Sequence, residues 1–435
     1  MLLFLAACAT GPTSTEDTRH TGETGDTGDT GKTPVVPVDE AVGDPDISYM
    51  NPEFTPDGRF MVWFEPSPTG PESDGRLFGT VWHCAVDLET GELDPPDGRG
   101  FAAFPASLYT RANTGADVDG PYYVGQRSSA SPGPDDDRLV VVRPTSPTSG
   151  EVTLLSASQA RPRRRSIFPT ALTDRPLGEQ AVWWLENDVG YSPGEANVVS
   201  LRYVRLDDPS IEGVVTEQET TGPLWSPMDL TYARLVGGTS WLTLGVPTRA
   251  GVEVAMFDLD DPGAGLVQVT SDGVFKLDPY PYVSDGGVDF LAGVGDSEDS
   301  YRYRSDGPGE PFTHVETVRT LPFPDSQIAD GDRCQAQSHQ TFTHSGQTWT
   351  AFQISDCGQD GSFLTRRGEI WLSSVDVDPP VVMRLSSDGP EANNEPEPLV
   401  GEDRAWVFYT RYPAGASPQQ VTYELRRVTL PAVIR

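Results

Sequence analysis

Residues 51–66 read NPEFTPDGRFMVWFEP. Pro52 opens the stretch, Asp57-Gly58 supplies a turn, and Phe60 to Phe64 is an unbroken apolar run. An Asp-Gly turn between two such segments is hairpin grammar. A short run that is apolar on both faces suits a strand packed between two layers. The same order returns in DPYPYVSDGGVDFLAG from Asp278 and in NEPEPLVGEDRAWVFY from Asn394. Weaker copies are GADVDGPYYVGQ, TDRPLGEQAVWWLE, LVGGTSWLTLGV and THSGQTWTAFQI. Their turns centre near Gly58, Gly120, Gly178, Gly238, Gly286, Gly346 and Gly401, so seven units fill 44–435. Trp63, Trp183 and Trp406 each fall five residues after their turn glycine, a repeated position that reads as core between units rather than as sugar-stacking surface.

A second signature lies inside the units: VDLETGEL at Val86, VRLDDPSIEGVV at Val204, FDLDDPGAGLVQV at Phe257 and VDVDPPVVMRL at Val375. Each is a strand, an acidic turn and a return strand. A third, VTSDGVFKLDPYP and LSSDGPEANNEPEP, links one unit to the next. Four short antiparallel strands per unit, repeated, describe an all-β fold, a β-propeller. The expectation is seven four-stranded blades, or six if a degraded copy fails to form one. A ring also accommodates 435 residues, too many for one ordinary core. Gly and Pro leave no free stretch longer than 14 residues, which excludes long helices and helical membrane spans.

Asn51 to Phe64 resembles the TolB-type, WD-repeat-like propeller repeat, whose pattern runs roughly P-x-W-S-P-D-G-x-x-I-x-F. Pro52, Phe54, Thr55, Pro56, Asp57, Gly58, Val62 and Phe64 match in order. Pro223, Trp225, Ser226 and Pro227 resemble the opening of another copy, and Met228-Asp229 then departs from it. The resemblance implies a propeller. TolB-type proteins also carry an α/β domain for which this chain has no room, so it implies no partner.

The chain begins MLLFLAAC. Leu2 to Ala7 suit a signal-peptide core, and Leu5-Ala6-Ala7-Cys8 resembles the bacterial lipobox, in which the cysteine is lipidated. No Lys or Arg precedes the run, so the expectation is a true start a few codons upstream. Residues 1–7 are then a truncated-looking signal, and 8–43 a lipidated Cys8 with a Thr/Gly/Asp-rich disordered stalk. Ala9 after the cysteine resembles lipoproteins sorted to the outer membrane. The expected localisation is the cell envelope, lipid-anchored at that membrane.

The formal net charge is −34, and the stalk accounts for only −5 of it. Such a surface repels nucleic-acid backbones. The expected partners are the membrane, through the anchor, and an envelope protein or extracellular ligand; nucleic acid is excluded.

Candidate chemistry is sparse. Cys334 and Cys357 flank the stretch Thr348–Ile354 and are the expected disulfide; Cys84 reads as a buried thiol. His83-Cys84 cannot cooperate, because adjacent strand residues face opposite sides. His339 and His344 lack a third metal ligand. Asp330, Asp332 and Asp135–Asp137 could offer oxygens to calcium, yet Asp is also the default turn residue. Asp207-Asp208 and Asp260-Asp261 occupy one repeat position and read as turns rather than a glycosidase pair. Arg161 to Arg165 is the one basic cluster, expected in an inter-strand loop. The expectation is therefore no catalytic residue, no metal and no cofactor, and an anchored ring that binds or scaffolds without catalysis. The alternative is an extracytoplasmic propeller hydrolase or lyase acting on polysaccharide or peptide.

Overall fold

The computed structural model describes residues 38–67, 77–96, 98–107, 112–117, 119–129, 138–155, 163–169, 181–188, 197–220, 241–247, 252–258, 266–274, 276–284, 287–294, 297–305, 313–317, 321–357, 366–416 and 421–431. Among them every regular element is a strand. Strand β1 (Asp39–Ala41) comes first in the chain. The first sheet then runs β2 (Met50–Phe54), β3 (Phe60–Pro66) and β4 (Phe78–Val86), with β5 (Leu93–Asp94) and β6 (Phe101–Ser107) both on β4. The second is β7 (Asn113–Asp117), β8 (Gly120–Gln126), β9 (Leu139–Ser146) and β10 (Ser149–Leu154). The third is β11 (Arg163–Pro169), β12 (Ala181–Asp188), β13 (Asn197–Arg205) and β14 (Glu212–Thr220). The fourth shows three strands, β15 (Trp241–Pro247), β16 (Val252–Asp258) and β17 (Leu266–Gln268). The fifth is β18 (Lys276–Ser284), β19 (Gly287–Val294), β20 (Ser300–Ser305) and β21 (Thr313–Thr317). The sixth is β22 (Arg333–His344), β23 (Gln347–Asp356), β24 (Gly368–Ser374) and β25 (Val382–Arg384). The seventh is β26 (Glu391–Val400), β27 (Ala405–Pro413) and β28 (Glu424–Leu430), completed by β1.

Among the described residues all pairings are antiparallel, and strands follow chain order outward, save that β6 also pairs with β4 and β1 closes the seventh sheet from the outside. First strands of neighbouring sheets lie side by side: β18 by β22, β22 by β26, β26 by β2, β2 by β7, β7 by β11. The fold is a β-propeller. Six of the sheets have the full four strands or more, and β15–β17 is the short one among the described residues.

The second strand of each sheet is the scaffold. Met61 and Trp63 of β3 pack on Trp406, Phe408 and Leu425 of the seventh sheet, while Val62 and Phe64 pack on Tyr123, Val140 and Val142 of the second. Alternate residues of one strand thus serve two interfaces. Each fully buried side chain contributes about 1.5–3 kcal/mol. Trp63, Trp183 and Trp406 are all buried, as their shared repeat position predicts.

Ring closure corrects the expected stalk, 8–43. Its last residues belong to the ring: Asp39 pairs with Val428 and Ala41 with Arg426. The Asp39 carboxylate accepts from Arg411 Nη2 at 2.7 Å, Arg426 Nε at 2.9 Å and the Ser387 amide at 3.0 Å. Burial alone raises its pKa, but these donors and charges outweigh burial and hold it below the usual carboxylate range. Arg427 extends the latch to Glu40 of β1 and, at 2.8 Å, to Glu92 in the first sheet. The expected signal peptide and the rest of the stalk, Cys8 included, lie outside the described residues.

Candidate functional site on the inner strands

The proline that opens the repeats has a structural role. On β2, Met50 pairs with Phe64 and Glu53 with Val62, so Asn51-Pro52 together face Trp63. On β26, Asn394 pairs with Thr410 and Glu397 with Phe408, so Glu395-Pro396 face Tyr409. On β18, Asp278-Pro279 face Ala292 in the same way, and on β22 Ser338-His339 face Phe352. Each is a β-bulge, two residues against one. Proline fits because a bulged residue has no ladder bond to donate.

The first residue of the bulge is left-handed in three successive inner strands: Ser338 at φ 51°, Glu395 at φ 55° and Asn51 at φ 53°. A second bulge on β22 places Gln335 at φ 52°. Glycine is the usual occupant of such a backbone, and a side chain there costs roughly 1–2 kcal/mol. These side chains are kept at that cost on adjacent strands at the inner edge of the ring and form a tier of backbone strain, which tends to cluster at functional sites.

Polar groups surround the tier. Gln340 Nε2 donates to Glu397 Oε1 at 2.7 Å, joining β22 to β26. Gln353 Nε2 donates to Asn394 Oδ1 at 2.8 Å, and Asn394 Nδ2 donates to the Tyr412 hydroxyl at 2.5 Å. The Tyr412 and Tyr423 rings pack at a tilt, with centroids 4.7 Å apart. Burial first, and the Glu395 charge in addition, push both phenols well above their ordinary pKa. They stay protonated within electrostatic reach of a half-buried carboxylate. Glu53, also half-buried, lies on the adjacent β2.

The residues named from sequence fall elsewhere. His83 and Cys84 face opposite ways: His83 Nδ1 meets Tyr123 Oη at 2.7 Å, while Cys84 is buried against Trp63 and Trp406. Burial lowers the His83 pKa, so the ring is neutral. His339 Nε2 lies 2.7 Å from Ser300 Oγ, the geometry of half a catalytic triad. Burial pushes its pKa down to about 3, and among the described residues its Nδ1 meets no acid, so the pair is enclosed and lacks the carboxylate of a triad. His344 Nε2 is 3.1 Å from the Pro431 carbonyl, far from a shared site with His339. Asp207 pairs with Arg205, Asp208 caps Ser210, and Asp330 pairs with Arg333; all three are turn residues. Asp135–Asp137 and Asp260-Asp261 lie outside the described residues, and among those described no cluster of three His, Cys, Asp or Glu suits a metal.

Two expectations are corrected. Arg163 to Arg165 are not in a loop but in β11, the inner strand of the third sheet; Arg161 and Pro162 lie outside the described residues. The expectation of a ring without catalysis rested on the lack of any catalytic constellation in the sequence. The structure brings Ser338, Glu395, Asn51, Glu53 and Gln340 to neighbouring inner strands, a gathering of unlike polar side chains that the sequence does not show. That expectation is withdrawn. The sequence signal overlooked was the residue before the proline in Asn51-Pro52, Asp278-Pro279 and Glu395-Pro396, which differs in each of these three copies.

Cys334 and Cys357 stand 5.7 Å apart at Cα, inside the range of a disulfide. Arg366 Nη1 is 3.3 Å from Cys357 Sγ. Two buried ionic clamps bind the fifth sheet. Lys276 donates to Glu253 of the fourth at 2.9 Å, and Arg302 bridges Asp289 at 2.7 Å and Asp376, beyond β24 of the sixth, at 3.1 Å.

No protein-family model matches the chain, and no curated protein does. Solved structures similar to it include the Trypanosoma rangeli sialidase in complex with sialic acid: 12% identity, TM-score 0.39, covering 88% of this chain and 54% of that one. The chain thus spans about half the length of the sialidases it matches. Another is the α-L-arabinofuranosidase of Fusarium graminearum with arabinobiose: 12% identity, TM-score 0.45, covering 75% of this chain and 96% of that one. At such identity the site must be read from this chain's own residues.

Proposed function

We propose that the protein is a hydrolase of extracytoplasmic polysaccharide, with its site at the bulge tier of β22, β26 and β2. The observation that carries this reading is the left-handed backbone of Ser338, Glu395 and Asn51 at the bulges of three adjacent inner strands. Glycoside cleavage needs two carboxyl groups on either side of the bond. Glu395 is assigned the proton donor to the leaving oxygen, beside the protonated Tyr412 and Tyr423. Glu53, on the next strand, is assigned the ionised partner. Asn51, Asn394 and Gln340 both donate and accept, which matches sugar hydroxyls. An acidic body disfavours uronate polymers and leaves neutral glycans as the substrate class.

The proposal extends to the rest of the chain. Cys8 carries the lipid, residues 9–37 hold the ring off an outer membrane, and the repeat is of TolB type. A bridge between Cys334 and Cys357 pins the start of β22 next to Gln335. Intact-mass analysis before and after reduction checks the bridge, and lipid labelling of wild type against Cys8→Ala checks the anchor.

The activity test is release of reducing ends from neutral arabinan, xylan, glucan and mannan and from polygalacturonate. Cleavage of a neutral polymer, lost in both Glu395→Gln and Glu53→Gln, supports the assignment. Cleavage of polygalacturonate alone, or full activity in both variants, contradicts it.

A further inference from the structure

A recess lies on the first sheet, lined by none of the bulge-tier residues. Its walls are built by register. Glu65 pairs with Thr80, and Thr80 pairs with Pro105. Cross-strand partners share a face, and so do residues two apart on one strand. Glu65, Ser67, Phe78, Thr80 and Pro105 therefore look out from one side of the sheet. Ser128 and Ser129, which follow β8, close the end, the Ser128 amide donating to the Pro105 carbonyl at 3.0 Å. Together with Pro66 and Gly79 they line a cleft of about 400 Å³, within the range that accepts small ligands. Gly79 keeps the floor tight: a Cβ there would meet the Glu65 carbonyl at 2.1 Å and the Phe64 ring at 2.6 Å.

The lining has one kind of charge and one kind of polar group. Four hydroxyls, from Ser67, Thr80, Ser128 and Ser129, surround a single carboxylate, with Phe78, Pro66 and Pro105 as apolar wall. A carboxylate accepts from two adjacent hydroxyls at once, Ser and Thr hydroxyls donate and accept, and ring C–H faces pack on Phe and Pro. Among the described lining residues none is basic, so the one charge in the lining disfavours an anionic ligand. Burial raises the Glu65 pKa, with the Arg99 charge partly offsetting it.

We propose that this cleft is a binding subsite for a neutral sugar unit, with Glu65 accepting from a vicinal diol. It would hold a glycan at a point separate from the inner strands, and it does not depend on whether the bulge tier cleaves that glycan.

The experiment is calorimetric titration of the full chain with maltotriose, cellotriose, xylotriose and arabinotriose, and with trigalacturonate as the anionic control. A Glu395→Gln background keeps the sugars intact. At least one neutral trisaccharide is expected to bind and trigalacturonate is not. Adding Glu65→Gln weakens that binding about tenfold or more, and Ser129→Trp, which fills the cleft, removes it. Thermal melts of both variants report folding, and the conservative Glu65→Gln keeps the side-chain volume. The proposal is overturned if no neutral trisaccharide binds, if trigalacturonate binds equally, or if both variants bind as the background does. Cleavage assays read the inner strands and titrations read the cleft, so either reading can fail while the other stands.

Discussion

Strands β26 and β27 lie side by side in one sheet and obey different rules. β27 begins Ala405-Trp406-Val407-Phe408-Tyr409, every residue buried and the backbone regular. β26 carries Asn393, Asn394, Glu395 and Glu397, and breaks its register at a left-handed glutamate. The same contrast separates β2 from β3 and β22 from β23. The second strands β3, β8, β12, β23 and β27 repeat one solution, an aromatic-rich run of buried residues. The inner strands β2, β18, β22 and β26 repeat a backbone device, the bulge, and change the residue it presents. What is copied faithfully is scaffold, and what varies at a copied position is the site.

This comparison predicts separable losses. Trp406→Ala removes a buried ring shared by the seventh and first sheets and should cost about 3–5 kcal/mol, read as a lowered denaturant midpoint. Lys276→Met leaves Glu253, itself buried, with only its hydrogen bonds from Thr270 and Gly273; about 3 kcal/mol should be lost by the same measurement. An unchanged midpoint would mean that the fourth and fifth sheets are held by apolar contact alone.

The closure latch predicts a pH dependence. Asp39 has a folded-state pKa below its ordinary value of 3.8, so its stabilisation is complete above that value and fades as pH falls through the lower one. Wild type should therefore lose melting temperature between about pH 5 and 2 more steeply than Asp39→Asn does. Parallel curves would remove Asp39 from the account of closure. The smallest effect is expected at the tier itself. Asn51→Gly relieves a left-handed side chain and should leave stability unchanged or raise it by up to about 1 kcal/mol, while lowering kcat/KM. A destabilised Asn51→Gly would instead make the bulge part of the scaffold.

Much of the scaffold is legible in the sequence because it is local and copied. Asp57-Gly58, the proline before it and Trp63 recur at fixed spacing, and that grammar alone implies the propeller. Ring closure is not legible. Asp39 to Ala41 is three residues long, and its partner Arg426 lies 387 positions away, so no local pattern announces it. The tier is half legible: Asn51-Pro52, Asp278-Pro279 and Glu395-Pro396 stand out as X-Pro pairs, but a left-handed φ appears only once the register of the neighbouring strand is known. The Glu65 cleft is illegible, since it arises from the alignment of three strands and a serine pair from the next sheet. Side chains that work by convergence leave no spacing to read.

The most direct test of the central claim is one pair of numbers on one variant: melting temperature and rate of reducing-end release from the best neutral polysaccharide, for wild type and Glu395→Gln. The account predicts equal melting temperatures and a rate lowered at least about 10²-fold, because the inner strand presents a working carboxyl that the scaffold does not need. Equal rates, or a loss of rate that merely follows a loss of fold, would contradict it.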